Sequence, residues 1–89
     1  MKLTSKDREI LQNMGVPEKD YAQIERAMLA KNTIYSVNGS RISRLRAIQI
    51  LGEKEYLSGI VRSAFHFTST RIGTDGTQVY FDSSRLFKE

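Results

Sequence analysis

Cysteine and tryptophan are missing from the 89 residues, and proline and histidine occur once each. Without cysteine there is no disulfide framework and no thiolate metal site, which fits a reducing compartment. One histidine and no thiol leave little for nucleophilic or acid–base catalysis, which needs a nucleophile, a proton carrier and an orienting partner. The sequence is therefore read as that of a non-enzyme, with no cofactor and no metal, since no His, Cys or carboxylate cluster shows ligand spacing. Long apolar runs are lacking too. No stretch approaches the roughly 20 residues of a spanning helix, and MKLTSKDREI turns charged before any apolar run of signal-peptide length. The expectation is a cytoplasmic protein without a membrane partner. What is present, 39% hydrophobic and 27% charged residues, is ordinary for a globular chain, and the length suits one domain over 1–89.

The surplus charge is concentrated. Between Ser40 and Arg71, six basic residues (Arg41, Arg44, Arg46, Lys54, Arg62 and Arg71) stand against Glu53 and Glu55, which accounts for the whole formal net charge of +4. A clustered positive surface suits a polyanion. The same surface suits an acidic protein partner or a second copy of the chain.

Local signals divide the chain into eight elements. Thr4 and Asp7 form a capping-box-like start and Gly15 a left-handed stop, predicting a helix over 4–14 with Ile10, Leu11 and Met14 on its apolar face. Pro17 opens a second helix that buries Tyr21, Ile24, Ala27 and Met28 and ends near Asn32. TIYSV, then Asn38-Gly39, predicts a hairpin with a two-residue turn that sets Val37 against Ser40 and Tyr35 against Ile42. Ser43 caps a third helix, Arg44 to Leu51, expected to bury Leu45, Ile48 and Leu51, and Gly52 ends it.

The fourth helix, from about Glu53 to Phe67, carries Leu57, Ile60, Val61, Ala64 and Phe65 at core spacing. Lys54, Ser58, Arg62 and His66 form an i, i+4 row on its remaining surface, with Gly59 and Ser63 beside it. Glycine inside a helix costs about 1 kcal/mol relative to alanine. Gly59 therefore suggests either a close backbone approach, by nucleic acid, another helix or a partner, or a helix that bends or starts later. A second hairpin is predicted at Asp75-Gly76, pairing Thr74 with Thr77 and Ile72 with Val79. Ser83 or Ser84 can cap a last turn that folds Leu86 and Phe87 back onto the core.

The result is an α+β fold of order α-α-β-β-α-α-β-β. Its element order resembles, in part, a winged helix-turn-helix domain with two β-hairpins. That resemblance implies a nucleic-acid-binding regulator in which Lys54, Ser58, Arg62, Ser63 and His66 of the fourth helix meet bases or phosphates. Arg41, Arg44 and Arg46 would hold the phosphate backbone, and Arg71 and Gln78 would line the wing. The alternative is a protein-interaction module or inhibitor docking an acidic partner. Three arginines near the start of the third helix oppose its dipole, a conflict that a bound anion resolves.

Overall fold

The computed structural model describes residues 2–88, so Met1 and Glu89 of the expected 1–89 domain lie outside it. Helix α1 (Ser5–Asn13) begins at the predicted capping box, where the Thr4 hydroxyl accepts from the Asp7 amide at 3.0 Å and Asp7 Oδ2 accepts from the Thr4 amide at 3.2 Å. A 3₁₀ turn over Glu18–Asp20 leads into α2 (Tyr21–Ala27). This helix stops five residues short of Asn32 because side chains take its last carbonyls. Asn32 Nδ2 donates to the Arg26 carbonyl at 2.8 Å and the Thr33 hydroxyl donates to that of Ala27. The four apolar residues expected to face inward, Tyr21, Ile24, Ala27 and Met28, are all buried.

Strands β1 (Ile34–Val37) and β2 (Ser40–Ile42) pair as predicted, Val37 with Ser40 and Tyr35 with Ile42, around Asn38 and Gly39 at φ of 51° and 82°. Helix α3 (Arg44–Leu51) is capped by the Ser43 hydroxyl and ends at Gly52. It buries Ala47 and Leu51, half-buries Ile48 and turns Leu45 outward at 67% exposure, against expectation. Two turns of helix present one narrow strip to the core, and Leu45 lies off it.

Helix α4 (Glu53–His66) is the hub. Leu57, Ile60 and Ala64 face α1 and α2, joined there by the Gln23 amide, which donates to the Ala64 carbonyl at 3.0 Å. Tyr56, Gly59 and Ser63 form a second buried strip against the sheet. Here the close approach implied by Gly59 is resolved within the chain. A Cβ on Gly59 would stand 2.4 Å from Cζ of Phe81, and the Ser69 hydroxyl donates to the Gly59 carbonyl at 2.7 Å. Phe81 in turn packs edge-on to Tyr35, with ring centroids 5.4 Å apart, and lies 5.9 Å from Tyr56. The helix ends at Phe67, whose φ of 75° is unusual for a bulky residue. Its carbonyl accepts from the Ser83 amide at 2.6 Å, which holds the turn.

Strands β3 (Thr68–Ile72) and β4 (Gln78–Asp82) form the second hairpin, one residue out of the predicted register: Ile72 faces Gln78, and Arg71 faces Val79. The reason is the turn. Gly76 donates to the Gly73 carbonyl at 2.9 Å and Gly73 to that of Thr77 at 2.8 Å, so three residues, Thr74 to Gly76, form the loop, with Gly76 at φ of 87°. This is a type I turn followed by a left-handed bulge residue, and Asp75 reinforces it by accepting from the Thr77 amide. A slip of one residue reverses every side chain. Ile72 is therefore 56% exposed, while Val79 and Phe81 are buried.

Pairing of β1 with β4 joins the hairpins into one antiparallel sheet of order β2-β1-β4-β3. Its inner face meets α4, while the outer face presents Thr70, Gln78 and Tyr80 to solvent. A closing 3₁₀ turn, Ser84–Phe87, returns Leu86 to the core and leaves Phe87 41% exposed. The architecture is thus a small α+β domain with four helices on one side of a four-stranded antiparallel sheet. Among the described residues no helix is long and apolar enough to cross a membrane.

Candidate nucleic-acid interface

The ten residues singled out in the sequence fall into five different settings. Lys54, Ser58, Arg62 and His66 follow one another along the open side of α4, spanning about 18 Å at 1.5 Å per residue. Lys54, Arg62 and His66 are exposed; Ser58 is half-buried where its hydroxyl meets the Met14 sulfur at 3.9 Å. Arg62, His66 and Ser58 line a shallow groove with Phe65, Val61 and the half-buried Asp20, so one carboxylate interrupts this basic row.

Arg41, Arg44 and Arg46 lie at the corner where edge strand β2 runs into α3. Arg41 and Arg46 are exposed, and Arg46 donates to Gln49 Oε1 at 3.3 Å. Arg44 is not a free contact. Its Nε donates to the Tyr56 hydroxyl at 3.1 Å, and its guanidinium lies 5.4 Å from the centroid of the Tyr56 ring. Tyr56 also shares a hydrogen bond of 2.7 Å with the Tyr35 hydroxyl. Burial pushes both phenols above the usual tyrosine range, so the cluster stays neutral and anchors the arginine stem.

Arg71 is occupied. It donates to Glu55 Oε1 through Nε at 2.9 Å and Nη2 at 2.6 Å, an ion pair about one-third exposed on both sides. The register slip explains it, since the extra loop residue turns Arg71 toward α4 in place of Ile72. Ser63 is not on the surface at all. It is fully buried in a hydroxyl chain in which Ser83 donates to Ser63 at 2.8 Å, Ser63 donates to the Ile60 carbonyl at 3.3 Å, and Thr33 lies 2.6 Å from Ser83. A small polar residue on a helix reads from sequence as surface, and only the sheet's position beneath α4 shows otherwise. Gln78 is exposed, but on the outer sheet face beside Tyr80, away from the α4 row.

One feature had no sequence signal. Asp7, buried in α1, and Glu53, at the start of α4, form a carboxyl pair. Burial opposes ionisation of Asp7, but the neighbouring Glu53 carboxyl and the Thr4 capping bond outweigh it and hold its pKa below the usual range, while Asp7 Oδ1 itself is buried without a hydrogen-bond partner among the described residues. Glu53 is pushed up, first by the neighbouring Asp7 carboxyl and then by burial, with Arg44 and Lys6 pulling the other way. Among the described residues no group of three or more His, Cys, Asp or Glu side chains could hold a metal ion. No protein-family model, curated protein or solved structure matches the chain.

Proposed function

We propose that this is a nucleic-acid-binding domain of the winged helix-turn-helix type, with the open side of α4 as its duplex contact. The observation that carries the reading is the β1–β4 pairing. It ties the hairpin after two tightly joined helices to a strand that precedes them, so α3, Gly52, α4 and the β3–β4 wing form one rigid unit. Lys54, Arg62 and His66 meet phosphates, Ser58 adds a short polar contact, and Arg46 near the wing tip supplies a flanking cation. Ser63 and Gln78 take no part, and Arg71 is held in reserve by Glu55.

Anisotropy titration of a fluorescent DNA duplex across ionic strength tests this. Affinity should fall linearly on a log–log plot, and Arg62→Ala or Lys54→Ala should each reduce the slope by about one. Glu55→Gln, which releases Arg71, should raise it. No binding at low salt, or a Gln78→Ala effect as large as that of Arg62→Ala, would refute the proposal.

A second reading, a protein-interaction module, draws on a different observation. Phe67 and Phe87 are 51% and 41% exposed and meet edge-to-face at 4.6 Å beyond the end of α4. Paired exposed aromatic rings suit a protein partner better than a phosphate backbone. Retention of a partner after nuclease treatment, lost in Phe87→Ala, would support this reading; loss of every partner on nuclease treatment would count against it.

A further inference from the structure

Among the described residues no element covers the outer face of the sheet, and the strand register decides which side chains stand together on it. Arg41 of β2 lies opposite Ser36 of β1, Ser36 opposite Tyr80 of β4, and Tyr80 opposite Thr70 of β3. These four form one row straight across the sheet, about 14 Å long at ~4.8 Å per strand. Between this row and the hairpin turns the surface sinks into an open depression of about 420 Å³, lined by Ser36, Thr70, Gln78, Tyr80 and the Asn38-Gly39 turn. Its lining is uncharged, and Tyr80 is 44% exposed. Two side chains of other kinds stand at its rims. Arg41 is exposed, and its guanidinium makes no hydrogen bond or ion pair among the described residues. Ile72, opposite Gln78 and diagonal to Tyr80, is 56% exposed. The carboxylate of this face, Asp82, is half-buried and accepts from the Ser84 amide at 2.9 Å.

We propose that this face binds an unpaired stretch of DNA, with a thymine stacked on Tyr80, its polar edge at Gln78 and a neighbouring phosphate on Arg41. An accessible ring flanked by amides and hydroxyls suits a base, which offers both a π-face and hydrogen-bonding edges. A duplex hides the faces of its bases in the stack, so the ring selects a single strand. The exposed aliphatic side chain of Ile72 beside it matches the C5-methyl group of thymine, which uracil lacks, and this selects DNA over RNA. A protein partner is the poorer match, because the core of such an interface joins several apolar anchors and here one ring stands among polar groups. A four-stranded sheet is wide enough for about two or three bases. The face lies across the sheet from α4 and shares no residue with the duplex contact proposed above, so it goes beyond that reading and the two can fail separately.

The test is anisotropy titration of the full chain with fluorescent oligothymidylate, oligouridylate and a DNA duplex, joined to amide chemical-shift mapping of the bound thymidylate. Oligothymidylate should shift amides over 36–41, 70–72 and 78–80 saturably and bind more tightly than oligouridylate. Tyr80→Ala should weaken it at least about fivefold, whereas Tyr80→Phe, which keeps the ring, should stay close to the parent. Arg41→Ala should lower the log–log salt slope by about 0.7, the value for one phosphate of a single strand. Ile72→Ala should erase the preference for thymidylate. None of these changes should alter duplex affinity, and thermal melts matching the parent confirm that the variants fold. Thymidylate binding without duplex binding would sink the duplex reading alone. The proposal is overturned if thymidylate does not bind at low salt, if its shifts are confined to α4, or if Tyr80→Ala has no effect. Uridylate binding as tightly as thymidylate would overturn the assignment to DNA. A dimer in sedimentation that Tyr80→Ala dissolves would give the face to a second copy of the chain and also overturn it.

Discussion

Replacing Gly59 by alanine sets two opposed effects against each other. In an ordinary helix interior the change is favourable by about 1 kcal/mol. Here the new methyl group would lie 2.4 Å from Phe81 Cζ and within 2.7 Å of both Cε atoms, where ordinary contact begins near 3.4 Å. The ring must retreat by about 1 Å. It has nowhere to go, because it is fully buried against Tyr35 and Tyr56, which are themselves tied by a hydrogen bond. Overpacking of this kind costs about 3 kcal/mol at the upper end of its usual range. The net is a loss of about 2 kcal/mol, or a fall in Tm of about 8–16 °C for a domain of this size. Thermal unfolding followed by circular dichroism measures it directly. In a Phe81→Leu background the same substitution should be neutral or stabilising. A Gly59→Ala protein melting at or above the parent temperature would show that Phe81 does not sit on this glycine.

Two further outcomes follow from the interior. For the Asp7–Glu53 pair, the depressed Asp7 value contributes stability that is lost as pH falls through it, whereas the raised Glu53 value contributes stability that is lost as pH rises through it. Denaturant midpoints should therefore decline above the ordinary glutamate range, and Glu53→Gln, which keeps a donor to Asp7, should remove that decline; parallel curves for the two proteins would refute the pairing. Ser83→Ala breaks the hydroxyl chain from Thr33 to Ser63 and should cost about 1–3 kcal/mol in urea unfolding; a change below about 0.5 kcal/mol would mean that the buried oxygens find other partners.

Much of the fold is legible in the residues because the signals are local. The capping box at Thr4, the Asn38-Gly39 turn with its pairing, the Ser43 cap and the Gly52 break each depend on neighbours within four positions, and each appears as expected. Failures occur where distant parts of the chain decide. Asp75-Gly76 reads as a two-residue turn, yet Gly73 must abut the Ile50 carbonyl, where a Cβ would stand 2.5 Å away, and the hairpin closes around a longer loop. From that slip follow the exposure of Ile72 and the capture of Arg71 by Glu55. The candidate site suffers for the same reason. Charge clusters along the sequence, but α4 is buried on two sides, so the expected single basic surface divides into the α4 row, the β2–α3 corner and the partly exposed Arg71–Glu55 ion pair.

The seam between β1 and β4 also bears on how the protein comes to be made. Ile34 pairs with Asp82, about 50 positions later, so each hairpin can form quickly on its own while the sheet cannot. Tyr35 and Tyr56 acquire Phe81 as a neighbour only once β4 has been made. A nascent chain on the ribosome therefore holds an incomplete interior until β4 has emerged.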